Sequence, residues 1–121
     1  MKDVESNVIL GKSKAFAIRC IRLRTYLCDK KREYDISKQL LRSGTSVGAN
    51  VKEALRGQTR PDFGKKMNIA LKEASESEYW IVLLQETGFL NSDEGESLLK
   101  DCRELIKLLT SIVKSTLNAP A

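Results

Sequence analysis

The chain has 121 residues, 41% of them hydrophobic and 31% charged, and 21 Lys and Arg residues against 16 Asp and Glu residues give a formal net charge of +5. These values fit one soluble domain over residues 1–121 and exclude a disordered chain. The chain contains no His, which removes the commonest general base and the His-based nucleophile pairs. Catalysis by carboxylates, Lys or Tyr stays possible in principle, but we expect no enzyme activity, no metal and no cofactor.

The first predicted helix runs from about Ser6, which suits an N-cap, to Arg32. The second begins near Ile36 or Ser37 and ends around Gly57. Each helix carries one stripe of mainly apolar residues at steps of three and four, which predicts a face that packs into a core. The stripe residues are Ile9, Phe16, Cys20, Leu23 and Leu27 on the first helix, and Ile36, Leu40, Ser43, Val47, Val51 and Ala54 on the second.

The third predicted helix follows Thr59, which can cap it, and Pro61 suits its first turn. The fourth opens at Ser92, the predicted N-cap, with acidic residues in its first turn. No hairpin dipeptide or long alternating segment predicts a strand. Four helices on short loops predict an all-α, antiparallel up-down four-helix bundle. The stripes here are Phe63, Met67, Ala70, Ala74, Ser77, Ile81 and Leu84, and then Leu98, Cys102, Leu105, Leu109 and Ile112.

The segment SGTSVGAN, residues 43–50, places two glycines four residues apart inside the second predicted helix. It lacks the G-x-x-x-x-G-K-[ST] spacing of a phosphate-binding loop. Because the apolar stripe from Ile36 to Ala54 continues in register through this segment, we predict an unbroken helix. Gly44 and Gly48 would then let a neighbouring backbone pack closely. A backbone-lined ligand notch is the alternative.

The segment from Ser37 to Leu90 strongly resembles the 23S ribosomal RNA intervening-sequence proteins, also called S23 ribosomal proteins, and the flanking helices resemble them more loosely. The resemblance implies a left-handed bundle that assembles as a homopentameric ring without established enzymatic activity. A more distant resemblance is to the accessory protein of diversity-generating retroelements, a basic pentamer that works with a reverse transcriptase and its RNA. Gly11 and Gly64 depart from the pattern. The matching residues are Arg42, Ser43, Ser46, Gly48, Asn50, Glu53, Asp62, Phe63, Glu73, Tyr79 and Trp80.

Second stripes on the first and third helices predict a homo-oligomer, since a helix that is apolar on two sides must be covered on both. On the first helix the second stripe is Leu10, Ala17, Ile21 and Cys28. The predicted oligomer interface consists of Ile21, Ile69, Glu73, Glu76, Trp80 and Leu83.

Polar residues near this interface need partners if they are buried. Arg42 and Arg56 could pair with Glu73 and Glu76, and the alternatives are two solvated glutamates or a carboxylate metal or acid–base site. We also expect a buried polar network. Its predicted members are Arg42, Asn50 and Glu53.

The basic excess is concentrated between Lys12 and Glu33, where eight basic residues face only two acids. Such a surface, repeated in an oligomer, attracts polyanions. We therefore predict nucleic-acid binding, with RNA the expected partner and no sequence readout. One alternative is a scaffold for a protein such as a reverse transcriptase, and another is that the charge only aids solubility. The predicted nucleic-acid-binding residues are Lys12, Arg19, Arg22, Lys30 and Arg32.

The cysteines and the first residues of the chain bear on the cellular compartment of the protein. Cys20, Cys28 and Cys102 are odd in number and widely spaced, which favours buried thiols in a reducing cytoplasm over disulfides or a metal clip. Residues 1–16 include acids and no long apolar run, so we expect neither a signal peptide nor a membrane-spanning helix.

Overall fold

Four helices follow one another along the chain: α1 (Asp3–Lys31), α2 (Asp35–Ala54), α3 (Arg60–Glu86) and α4 (Ser92–Asn118). The computed structural model describes residues 3–57 and 59–118, and these contain no strand. Each helix packs against the next, and α1 meets α4 along a much smaller contact that closes the bundle. The predicted all-α, up-down four-helix bundle is confirmed.

The core consists of the predicted stripes. Every stripe residue is buried except Leu23, Ile36 and Phe63, which are half-buried and pack against the core. Two serines occupy stripe positions, and Ser43 and Ser77 satisfy each other by a buried hydrogen bond of 2.7 Å between α2 and α3. A buried hydroxyl pair of this kind costs little because neither group loses its partner.

The turn between α1 and α2 is held by the side chain of Glu33. Arg32 adopts a left-handed conformation with φ of 55°, and the Glu33 N–H donates to the Leu27 carbonyl at 3.0 Å, which ends α1. The buried Glu33 carboxylate then accepts the N–H groups of Ile36 and Ser37 at 2.8 and 2.7 Å. This carboxylate caps α2, a role that the sequence analysis did not assign to it.

The start of α3 confirms the predicted cap. Thr59 accepts the N–H of Asp62 at 3.2 Å, and Pro61 occupies the first turn. Gly64 lies one turn later, where an added Cβ would come within 2.8 Å of Thr116 on α4. The absence of a side chain at Gly64 therefore lets the end of α4 pack against the start of α3.

The other two predicted caps are wrong. Ser6 lies inside α1, which already begins at Asp3. At the start of α4, Asn91 rather than Ser92 is the cap, because its Oδ1 accepts the N–H of Glu94 at 2.8 Å. The predicted end of α2 at Gly57 is also three residues late, since the helix ends at Ala54.

The glycine segment of α2 is an unbroken helix, as predicted, and it packs against α1. An added Cβ at Gly44 would overlap the Cys20 Sγ and lie 3.1 Å from the Cys20 Cβ. At Gly48 the nearest atoms belong to Ser13, at 3.5 Å, which is an ordinary contact distance. Gly44 is therefore the point of closest approach, and Gly48 leaves room for a methyl group.

Two of the three thiols, those of Cys20 and Cys102, are buried in the core. Burial raises the pKa of Cys20 to about 12. Burial is also the main cause of the raised pKa of Cys102, which is likewise about 12. Cys102 donates to the Ala74 carbonyl at 3.3 Å. Cys28 is half-buried and accepts a hydrogen bond from the Arg24 Nε at 2.7 Å.

Substitutions at the two glycines should have opposite effects. We expect Gly44→Ala to destabilise the fold by about 1–3 kcal/mol through overpacking against Cys20. Gly48→Ala should stabilise it by about 0.5–1 kcal/mol, because Ala is the better helix former and the methyl group fits. Gly48→Leu should be destabilising, because the longer side chain reaches the α1 backbone. Urea denaturation measures all three changes.

A double substitution provides the control for this prediction. Cys20→Ala removes the Sγ that the Gly44→Ala methyl group would overlap, so the pair should be less destabilising than the sum of the single changes. Strict additivity, or a stabilising Gly44→Ala, would contradict the close packing at this point.

The thiols should differ in reactivity. In the folded protein at about pH 8 we expect iodoacetamide to alkylate Cys28 and to spare Cys20 and Cys102, since only a thiolate reacts and burial keeps these two protonated. Mass spectrometry after proteolysis locates the adducts. The denatured protein, in which all three cysteines should react, is the control. Rapid alkylation of Cys20 in the folded state would disprove the tight packing of α1 on α2.

Candidate nucleic-acid interface

Two of the predicted nucleic-acid-binding residues are paired with acids of α4. Lys12 lies 3.3 Å from Glu104. Arg19 donates to Asp101 at 2.8 Å and lies 3.9 Å from Glu94. Arg19, although predicted to bind nucleic acid, is therefore not a free surface cation: its side chain is half-buried and crosses the seam between α1 and α4.

The remaining predicted cations lie in the last third of α1 or directly after it, a region we call the basic end of α1, and are unpaired. Arg22, Lys30 and Arg32 are exposed, as is Lys31, and none forms an ion pair or side-chain hydrogen bond with another described residue. The acid that follows them, Glu33, is buried and directed into the α2 cap. The surface at this end of α1 is consequently more basic than the sequence count suggests.

A cleft of about 530 Å³ opens beside this basic end, between α1, the turn after α3 and the first turns of α4. It brings Arg19 and Arg22 together with Lys31, although Lys30 and Arg32 do not line it. The cleft was missed in the sequence analysis because it depends on which helices are neighbours. The available signal is Gly88 in the segment TGFLN, residues 87–91, since a glycine between two helical patterns is typical of a turn.

The predicted interface residues lie on two opposite corners of the bundle. On α3, Ile69, Trp80 and Leu83 are half-buried. On α1, Ile21 is 48% exposed. Because α1 and α3 are diagonal and make no direct backbone contact in the described part of the chain, these residues form two separate patches.

The exposed apolar face of α1 differs from the predicted second stripe. Leu10, Ala17 and Cys28 are half-buried within the subunit, which leaves only Ile21 of that stripe exposed. The exposed face instead contains residues spaced by four and three, and we call it the outer face of α1. Its residues are Val4, Val8, Gly11, Ala15 and Ile18.

The acidic residues of the α3 patch pair with Arg42, as expected from the sequence. The Arg42 guanidinium hydrogen-bonds to Glu76, which also accepts the Trp80 Nε1 proton at 3.0 Å. The buried Glu73 Oε1 accepts no hydrogen bond and lies 3.7 Å from Arg42. Arg42 thus lies beside two carboxylates, of which it hydrogen-bonds only that of Glu76.

The predicted buried polar network does not exist. Arg42 and Glu53 are exposed, and Glu53 pairs with Lys66 at 2.8 Å. The Asn50 amide donates to the Ser46 carbonyl of its own helix at 2.8 Å. Arg42 and Glu53 are eleven residues apart, about 16 Å along the helix, so each side chain has a partner of its own.

Residues 3–57 and 59–118 also bear on metal binding and on membrane insertion. No three His, Cys, Asp or Glu side chains there converge on a point where they could hold a metal ion. None of the helices described is both long and apolar enough to span a bilayer.

Comparisons with known proteins agree with this architecture. Residues 5–111 match the family described as 23S rRNA-intervening sequence protein. No relative was found among curated proteins. A crystal structure of a protein of unknown function from the S23 ribosomal protein family of Bacteroides thetaiotaomicron VPI-5482 is 48% identical, with 91% of this chain and 98% of that chain covered and a TM-score of 0.89. The chain belongs to the family of 23S rRNA-intervening sequence proteins.

Proposed function

We propose that the protein is a non-catalytic, homo-oligomeric RNA-binding protein that contacts the phosphate backbone through the basic end of α1. The observation that carries this proposal is the group of unpaired, exposed cations Arg22, Lys30, Lys31 and Arg32. Cations without an acidic partner can neutralise phosphates without first giving up an ion pair. The family description, which refers to an intervening sequence of 23S rRNA, supports RNA over other polyanions.

The proposed binding does not read sequence. The described helices offer no recognition helix or finger, and the basic residues are lysines and arginines on one helix end. Such residues neutralise phosphates whatever the base, so affinity depends on salt and on the number of subunits that bind together.

The oligomer is proposed from the two diagonal patches. A head-to-tail interface joins two different surfaces of identical subunits, and it forms a closed ring if the rotation between subunits permits. The outer face of α1, extended by Ile21, and the α3 patch around Trp80 lie on opposite corners and are two different surfaces, which is what such an interface requires. A ring places several basic α1 ends in one assembly, and the resemblance to pentameric relatives suggests five.

The apolar outer face also favours a second candidate, a scaffold for another protein such as a reverse transcriptase. In that case the exposed apolar residues of α1 would contact the partner rather than a second subunit. Replacing the basic residues distinguishes the two functions. RNA binding should weaken, whereas a scaffold should still bind its protein partner.

Neutralising the unpaired cations should weaken RNA binding. We expect Arg22→Gln, Lys30→Gln and Arg32→Gln together to flatten the plot of log affinity against log salt, which falls by about 0.9 for each phosphate neutralised on a duplex. Fluorescence anisotropy with structured RNA, duplex DNA and heparin at several salt concentrations measures this slope.

The matched control removes the same charge elsewhere. Lys72, Lys100 and Lys107 are exposed and unpaired among the described residues, and they lie on α3 and α4. Their replacement by Gln should change the slope much less. No binding by the wild type to any polyanion at low salt, or equal slopes for the two triple variants, would favour the scaffold.

Assembly can be tested by complementation between variants. Ile21→Glu and Trp80→Glu should each reduce the oligomer to smaller species, because a buried unpaired charge opposes association. A head-to-tail interface predicts that the two variants associate when mixed, since each retains the patch that the other has lost. Light scattering measures the masses.

The mass of the wild-type protein tests the oligomer directly. A folded monomer of about 13.6 kDa at micromolar concentration would refute the oligomer. Failure of the two variants to associate, with both folded by circular dichroism, would refute the head-to-tail interface.

A further inference from the structure

We propose that the cleft between α1 and the start of α4 holds one unstacked nucleotide of the bound RNA, with the base inside and the phosphate at the cationic rim. This inference rests on the proposed RNA binding and adds a site to it. The volume of about 530 Å³ lies within the roughly 300–1,000 Å³ of small-molecule sites.

The interior of the cleft is apolar and aromatic. Leu90 and Leu98 are buried, and Leu23 and Phe89 are half-buried, so they form an apolar lining. Tyr26 is 46% exposed, and its hydroxyl group has no partner among the described residues. Aromatic rings at the mouth of an apolar recess are the surfaces on which unpaired bases stack.

The rim carries the charge that a phosphate requires. Arg22 and Lys31 are exposed and unpaired, whereas Arg19 is held in place by Asp101. Glu94 is the acidic residue of the rim, and Arg19 lies 3.9 Å from it and offsets its charge. Since Arg19 is balanced by Asp101 and Glu94, Arg22 and Lys31 are the cations that make the rim favourable for an anion.

Polar groups suited to a base or a ribose are also present. Asn91 uses its Oδ1 to cap α4, and its amide nitrogen donates to no described residue. The Glu94 carboxylate can accept a hydrogen bond from an amino or hydroxyl group. An apolar ligand alone would leave these groups without partners, and a simple inorganic anion would leave the aromatic lining unused.

The turn between α3 and α4, which forms one wall of the cleft, is fixed by its own hydrogen bonds. The N–H groups of Phe89 and Leu90 both donate to the Leu84 carbonyl, at 2.9 and 3.2 Å. Gly88 supplies the left-handed residue that this turn requires, with φ of 85°. A wall fixed by its own hydrogen bonds does not have to be ordered when a nucleotide enters.

The test compares single-stranded with double-stranded RNA. Base pairs in a duplex cannot enter the cleft, so Tyr26→Ser should lower the affinity for a single-stranded oligonucleotide about fivefold or more and leave the affinity for a duplex of equal phosphate number within about twofold. Tyr34→Ser, at a tyrosine that is 52% exposed and outside the cleft, should change neither affinity.

A second pair of variants tests the rim. Lys31→Gln should weaken single-strand binding more than Lys30→Gln, although the two lysines are adjacent and only Lys31 lines the cleft. A 2-aminopurine base in the oligonucleotide provides an independent readout, since its fluorescence changes when the base leaves its neighbours and stacks on Tyr26 or Phe89.

The outcomes separate this inference from the proposed function. If Tyr26→Ser and Tyr34→Ser bind single strands equally while the wild type still binds duplexes, the nucleotide site is refuted and backbone binding stands. If the wild type binds no RNA, both are refuted. Displacement of the oligonucleotide by micromolar uridine monophosphate would assign the cleft to a free nucleotide and overturn the RNA site.

Discussion

The close approach of α1 to α2 at Gly44 determines how the rest of the bundle closes. With no side chain on α2 at this point, Cys20 packs directly against the α2 backbone, and α1 is held near α2. On its other side α1 makes a much smaller contact with α4, and long charged side chains such as Arg19 and Asp101 span that seam. A seam bridged by long side chains is wider than one made by small residues, and the cleft lies at this seam.

The pairing of charged side chains also depends on which helices are neighbours. Cations on the seams meet acids of the neighbouring helix, as Lys12, Lys66 and Arg103 do, and these exposed pairs contribute little to stability. The end of α1 extends to a turn in which Glu33 serves as the α2 cap, so the nearest acid is directed inward. A modest net charge for the whole chain therefore conceals a local surface on which the exposed cations outnumber Asp29, the exposed acid in this part of α1.

The sequence predicts the structural features that depend on a single helix. Apolar periodicity identified the core face of every helix, and the residue types around Thr59 identified its cap. Asn91 and Ser92 both suit an N-cap, so composition could not choose between them. The position of Arg19 depends on acidic residues of α4 that lie at the seam. The sequence of α1 gives the direction in which the Arg19 side chain leaves its helix, but not which helix lies beside it. The cleft was unpredictable for the same reason, because three separate segments form it.

Gly11 has no explanation within a single subunit. A glycine inside a helix costs about 1 kcal/mol relative to alanine, and an added Cβ at Gly11 would meet nothing within 4 Å. Gly11 lies on the outer face of α1, one turn from Val8 and Ala15, where a helix of another subunit could pack closely only against small residues. In the proposed assembly that contact offsets the cost of the glycine. Gly11 would then do between subunits what Gly44 does within one, which is to let a second helix approach the backbone.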